Sequence, residues 1–366
     1  MRIVILGAAG RAGRAVLAAL FPLSGVEAVF LADGDVEALT RMASQPAPFP
    51  LHMRYLEAAD HRCLRERLSE ADLALGCLGP FHLHEAGVFQ AALEAGCDYL
   101  SLCDDAQATA ELLSRREEAA GRGLRVLLGC GMAPGLSNLL ALRAASRLDR
   151  VDRLRFFWRL DGLSALGWAT IRHLARSLSG KAAVIRDGRE ERVRAGGWAE
   201  AVDFPPPAGP GIAAYMHRPE PFTLTRAVEG VRESFFKGGL SGRGEDFLLQ
   251  VISRLGEEGY AELLLDLLKL AAGKAMASKK ERPCPSFLRV TAEGFRGKRP
   301  YRVHLAAAGD YYRVTGAVAA AAVAWLRLAD PPPGVYTPEE AMDPGSSLPF
   351  LEASGARFFM AEEASP

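Results

Sequence analysis

The stretch MRIVILGAAGRAGRAV, residues 1–16, decides the fold. Its apolar run Ile3–Leu6 reads as a buried strand, and Val16, Leu17 and Leu20 begin the apolar stripe of a helix. Between them Gly7, Gly10 and Gly13 fall at three-residue steps. Gly7 permits the sharp turn from strand to helix. Gly10 leaves room for a backbone to approach a pyrophosphate, and Gly13 lets helix and strand pack closely. The start of that helix offers free N–H groups and the positive end of its dipole to an anion. The stretch therefore predicts a dinucleotide site at the head of the chain.

A second strand, Glu27–Leu31, runs into Ala32-Asp33-Gly34-Asp35. A carboxylate at the end of the second strand, about 20 residues past the glycines, accepts both hydroxyls of an adenosine ribose and repels a 2′-phosphate. Gly34 stands where an enzyme that uses NADP often carries Arg. Asp33 therefore favours NAD, while Arg11 and Arg14 leave NADP open. The alternative role for Asp33 is to cap the next helix, Val36–Ala43, and Asp35 is better placed for that.

Strands and helices then alternate to about residue 130. Strands are expected at Leu51–Leu56, Asp72–Leu78, Asp98–Leu102 and Leu124–Leu128, with helices at His61–Leu68, Glu85–Ala95 and Gln107–Ala120. This rhythm is that of a doubly wound parallel sheet, which binds its ligands beyond the carboxyl ends of the strands. Three such ends carry distinctive residues. Cys77-Leu78-Gly79-Pro80-Phe81 ends the fourth strand and is followed by His82 and His84, imidazoles suited to proton transfer near neutral pH. Cys103-Asp104-Asp105 ends the fifth. There Asp105 suits a helix cap, Asp104 is free to face a cleft and a cationic amine, and Cys103 has no activating base in view. Gly129-Cys130-Gly131-Met132-Ala133-Pro134-Gly135 ends the sixth, and Ser137 or Asn138 starts the next helix.

Beyond residue 150 the pattern changes to strands joined by turns. A strand at Arg153–Leu160 precedes a helix at Trp168–Leu178 and a hairpin about Asp187-Gly188. Further strands are expected at Phe222–Arg226 and Arg232–Phe236, helices at Glu245–Leu255 and Tyr260–Leu270, and a second hairpin at Phe287–Phe295 and Tyr301–Ala307. Lys279-Lys280-Glu281-Arg282 reads as a solvated charge run. Such a half forms a mostly antiparallel sheet with helices on one face. The alanine-rich helix Gly316–Leu328 has the small side chains of a closely packed helix, and a last helix is signalled near Leu348–Ala353.

The chain has 366 residues, with 44 Lys plus Arg balanced by 44 Asp plus Glu. Two domains are expected at this length, and zero net charge gives no reason to expect a nucleic-acid or acidic-membrane partner. The start shows no leader pattern, and Ala317–Leu328 is too short to span a membrane, so a cytoplasmic location is expected. The 6 cysteines form no C-x-x-C pair, and no metal site is expected.

Several motifs together resemble the saccharopine dehydrogenase-like family of NAD(P)-dependent oxidoreductases, which includes lysine 6-dehydrogenases. They are the glycine loop from Gly7 to Gly13, Ala32-Asp33, Cys77–Phe81, Ala95-Gly96-Cys97-Asp98-Tyr99, Gly131–Asn138, Thr315-Gly316, Gly334-Val335-Tyr336 and Pro338-Glu339-Glu340. One departure is Ser101–Asp105 after the fifth strand, where relatives often carry Asp-Ile after the Tyr. The resemblance implies an α/β protein. A Rossmann domain would comprise residues 1–133 and the returning segment 309–366. An α+β substrate and dimerisation domain with a mostly antiparallel sheet would span 134–308. It implies hydride transfer at a C–N bond of an amino acid, with Gly7, Ala9, Gly10, Arg11, Ala12 and Gly13 on the pyrophosphate and Asp33 on the ribose. Cys77, Leu78, Gly79, Pro80, Phe81 and Met132 would then border the nicotinamide. For acid–base work the candidates are His82, His84 and Asp104, with the second-domain histidines His173, His217 and His304 also open. For an amino-acid or amine substrate they are Asp104, Arg172, Arg226 and Lys237. A homodimer is expected. The rival readings are an NAD(H)-binding sensor or scaffold without turnover, and a polyamine enzyme like carboxynorspermidine dehydrogenase.

Overall fold

The computed structural model describes residues 1–161, 166–240 and 282–364. The chain divides into two compact units, Met1–Leu136 with Tyr312–Ser354, and Ser137–Tyr311 with Gly355–Pro366. In chain order the first stretch forms β1 (Arg2–Leu6), α1 (Arg11–Leu20), β2 (Ala28–Asp33), α2 (Val36–Ala43), β3 (Leu51–Tyr55), α3 (His61–Leu68) and β4 (Leu73–Gly76). It continues through α4 (Phe81–Ala95), β5 (Asp98–Ser101), α5 (Ala106–Ser114), α6 (Arg116–Gly121), β6 (Arg125–Leu127) and α7 (Leu136–Ala145).

Next come β7 (Arg150–Leu160), α8 (Trp168–Ser177), the hairpin β8 (Lys181–Arg186) and β9 (Arg189–Arg194), then β10 (Glu200–Phe204) and β11 (Gly209–Tyr215). After them stand α9 (Glu220–Ala227), β12 (Glu233–Leu240), β13 (Pro285–Arg296) and β14 (Arg299–Asp310). The chain closes with α10 (Tyr311–Ala329), β15 (Gly334–Tyr336), α11 (Pro338–Ala341), α12 (Pro344–Ala353) and β16 (Arg357–Ala364).

The first unit holds a seven-stranded sheet in the order β3-β2-β1-β4-β5-β6-β15. Every pairing in it is parallel. Ile3–Leu6 are fully buried, as the central strand of a sheet with both faces covered must be. The order reverses between β1 and β4, and a crevice for a ligand opens at such a reversal. α10 returns to this unit and packs backbone to backbone on α1. A Cβ placed on Gly316 would lie 2.4 Å from the Ala15 carbonyl oxygen, so only glycine permits this approach.

The second unit carries a sheet in the order β10-β11-β12-β7-β13-β14-β16, with β8 attached to β12 and to β9. Its pairings are antiparallel except for β12 on β7, so the sheet is mixed. Arg153 and Phe157 point to one face of β7. Phe156 and Trp158 point to the other, where Phe156 stacks on Phe236 at 6.0 Å.

Three sequence expectations need correction. Phe222–Arg226 lies within helix α9, not a strand: Pro221 sits in the first turn, where its missing N–H costs nothing. The helix expected over Gln107–Ala120 is two, interrupted at Arg115. The final residues do not stay with the first unit, because β16 pairs antiparallel with β14. The helices expected at Glu245–Leu255 and Tyr260–Leu270, and Lys279–Glu281 of the charge run, lie outside the described residues.

Candidate functional site

The site begins at the turn from β1 into α1. Gly7 has φ +80, which an L side chain rarely adopts, and a Cβ on Gly13 would lie 2.3 Å from the Gly7 carbonyl oxygen. The turn is thus as tight as the glycine spacing predicts. The N-cap of α1 in this glycine cradle is Gly10, and no side-chain hydrogen bond caps it. Arg11 stands at the first position of α1 with its guanidinium 4.5 Å over the Tyr312 ring. Arg14 donates back to the Ala9 carbonyl.

Asp33 closes the other side of this cradle. Its Oδ2 accepts the Ala9 N–H at 2.9 Å and its Oδ1 accepts the Asp35 N–H at 3.1 Å. It does not cap α2; Asp35 does, accepting from the Ala38 N–H at 2.9 Å. A carboxylate with two oxygens has lone pairs to spare beyond these two bonds. The uncapped helix start, the cradle a Cβ would fill and this half-buried carboxylate fit a dinucleotide's pyrophosphate and ribose.

Further along the sheet, the ends of β4, β5 and β6 come together. Cys77, Leu78, Gly79 and Phe81 are half-buried and Pro80 is buried, between β4 and the start of α4. The Cys130 N–H donates to the Ser101 carbonyl at 2.8 Å, which ties the Met132 turn to the end of β5. Met132 is 1% exposed. α4 begins at Phe81, four residues earlier than the sequence suggests, so His82 and His84 lie in its first turn. Both are half-buried, and burial holds the His84 imidazole below its ordinary value of 6.5. Asp105 caps α5 through the N–H groups of Gln107 and Ala108 at 3.0 and 2.9 Å. Asp104 is buried beside it. Cys103 is fully buried, and burial pushes its thiol far up.

The structure also shows what the sequence left unnoticed. Glu85 is 2% exposed, in the same buried stripe of α4 as Val88, Phe89 and Ala92. Its Oε2 accepts the Tyr99 hydroxyl at 3.1 Å. Burial raises the Glu85 carboxyl from 4.5 to about 7, and the neighbouring Asp105 and Asp104 add to the rise. The signal was a glutamate at i in an i, i+3, i+4, i+7 apolar pattern, a position that buries whatever occupies it.

The substrate candidates of the second unit sit in unlike surroundings. Lys237 is buried on β12, paired with Glu200 at 3.1 Å and lying 4.5 Å over Tyr215. Arg226 is exposed in the last turn of α9, and Arg172 is half-buried on α8. The same unit buries Arg218 5.0 Å over Trp158, and Glu220 accepts the Ser137 hydroxyl at 2.8 Å. Ser177 bonds the His173 ring at 3.0 Å, and His304 meets Thr291 at 2.9 Å. A cavity of about 880 Å³ also lies in this unit, lined in part by Asp187 of the hairpin turn and by none of the candidate catalytic or substrate residues. Its charges are spent on one another, as in Arg153 with Glu233 at 3.0 Å. Among the described residues no cluster fit to hold a metal ion is present. No helix among them is long and apolar enough to cross a membrane.

Comparison with known proteins bears on the same strands. Residues 3–127 match the family model described as the saccharopine dehydrogenase NADP binding domain. The chain is similar to apo saccharopine dehydrogenase (L-Glu forming) from Saccharomyces cerevisiae, with a TM-score of 0.70. The match covers 98% of this chain and 99% of that one at 13% identity. The chain has the saccharopine dehydrogenase fold. A probable mitochondrial saccharopine dehydrogenase-like oxidoreductase of Arabidopsis thaliana is 29% identical over 140 residues. That alignment covers 35% of this chain and only 31% of the relative. The glycine cradle and Asp33 lie within the residues that match the NADP binding domain model.

Proposed function

We propose that this chain is an NAD(P)-dependent oxidoreductase that moves hydride at a C–N bond of an amino acid or related amine, with lysine and saccharopine as the first substrates to try. The observation that carries the reading is the uncapped glycine cradle braced by Asp33, inside a stretch matching the saccharopine dehydrogenase NADP binding domain. The bound dinucleotide supplies the hydride chemistry, and the protein supplies orientation and proton transfer. Gly7, Ala9, Gly10, Arg11, Ala12 and Gly13 hold the pyrophosphate. Asp33 holds the ribose and favours NAD over NADP.

In this reading Cys77–Phe81 and Met132 border the nicotinamide. His82 and His84 lie at the start of α4, directly after that turn. His84, held neutral by burial, can accept the proton that an amine releases on oxidation. Asp104 offers a negative charge to a cationic amine, and Arg172, Arg226 and Lys237 remain the candidates for a substrate carboxylate. The active form is proposed to be a cytoplasmic homodimer.

The test is binding of NADH and NADPH by fluorescence, followed by a panel of lysine, other diamino acids, saccharopine and aminopropyl amines with NADH formation as readout. Binding with turnover of an amino acid supports the proposal. Failure of both dinucleotides to bind would sink it. Tight NADH binding with no turnover on any substrate would point instead to a sensor, and turnover confined to aminopropyl amines to a polyamine enzyme.

A further inference from the structure

Glu85 is expensive to keep where it is. A carboxyl 2% exposed has left water, and the acidic Asp104 and Asp105 stand beside it. A buried acid in that state is costly to keep, so its persistence asks for a use. Its surroundings are built. A Cβ on Gly76 at the end of β4 would lie 2.3 Å from the Tyr99 hydroxyl, so Gly76 leaves the space that this hydroxyl fills on its way to Glu85. Ser101, also on β5, accepts the Cys103 N–H at 3.0 Å and fixes the turn that carries Asp104. Glu85 and Tyr99 thereby join α4, which starts with His82 and His84, to the strand ends that carry Asp104.

The titratable groups around Glu85 come from every element packed there. Tyr99 belongs to β5, and Cys103, Asp104 and Asp105 follow it. Cys77 follows β4 and Cys130 follows β6. His82 and His84 belong to its own helix. Two of these neighbours are carboxyl groups, so a third negative charge in this dry place is opposed by both.

We propose that Glu85 is a positioning residue for dinucleotide binding: carrying a proton, it holds the ends of β4 and β5 and the start of α4 in one arrangement, and losing that proton loosens them and weakens the dinucleotide. The proposal rests on the dinucleotide reading of these strand ends. Its carboxyl, raised to about 7, places the change within the working range of pH.

Two measurements on the full chain test it. Infrared difference spectra of the unliganded protein, taken from acid to alkaline pH, report the carbonyl band of a protonated carboxyl. The expected band fades with a midpoint near neutrality and is missing from Glu85→Gln. NADH titrations at mildly acid and mildly alkaline pH should show wild-type affinity falling roughly tenfold with the loss of the proton, and Glu85→Gln should bind equally at both. Tyr99→Phe removes one of the two donors, Tyr99 and Ser101, that favour the ionised form, so its affinity loss should move to higher pH. That variant keeps the test sharp even if Glu85→Gln folds poorly. The proposal is overturned if no such band titrates, or if Glu85→Gln keeps the wild-type pH dependence while binding NADH. Absence of dinucleotide binding at every pH in the wild type overturns the dinucleotide reading, and the positioning role with it.

Discussion

At Asp33 one carboxylate serves two backbone N–H groups, one from the glycine loop and one from its own turn. Asp33→Ala removes the brace of the glycine loop and, in the proposed reading, the ribose acceptor with it. NADH affinity should weaken about tenfold, as expected for losing one or two charge-assisted bonds. NADPH affinity should change less, because the charge that repels a 2′-phosphate is gone. Fluorescence titration with both dinucleotides checks this. At Glu85 the prediction concerns stability. A carboxyl at about 7 in the fold and 4.5 in the free chain holds its proton more tightly when folded. Its contribution is therefore fully present below about 4.5 and is lost as pH rises through about 7, by roughly 3 kcal/mol. Urea unfolding of wild type and Glu85→Gln across that window should show the difference between them change in this sense. The place of Asp33 at the end of β2 was legible in the sequence because it follows from a strand end. Glu85 was not, because a single glutamate in an apolar helix stripe becomes meaningful only when its neighbours are known.

Elements were legible where local chemistry and tertiary packing agree. α2 and α3 span Val36–Ala43 and His61–Leu68 as expected, each opened by an Asp cap. The β8–β9 hairpin turns at Asp187 and Gly188, both with positive φ. α9 defied expectation, since Thr223 and Thr225 favour a strand, yet the proline in the first turn and burial of Leu224 settle it as a helix. β15 and β16 were missed. Each is short or exposed, and its identity comes from the strand it pairs with, β6 or β14. Two predictions belong here. Asp105→Ala should cost about 1 kcal/mol in urea unfolding through loss of the α5 cap. Gly316→Leu should cost several times more, on the order of 3 kcal/mol or above, because its Cβ already meets the Ala15 carbonyl.

For the whole molecule, a ligand that binds only the folded chain raises its stability by mass action. Saturating NADH, at about 100 times its dissociation constant, should add roughly 2.7 kcal/mol. The thermal midpoint should rise with NADH concentration, and Asp33→Ala should blunt the rise. By itself the sequence determined the parallel sheet, the glycine cradle and Asp33, because each depends on residues near one another along the chain: a strand, a turn and the helix after it. Only the tertiary structure decided the mixed second sheet, the return of α10 onto α1 with β16 going elsewhere, and the burial of Glu85 among other acids. Those depend on which distant segments meet, and burial, pairing and charge proximity have no local signature.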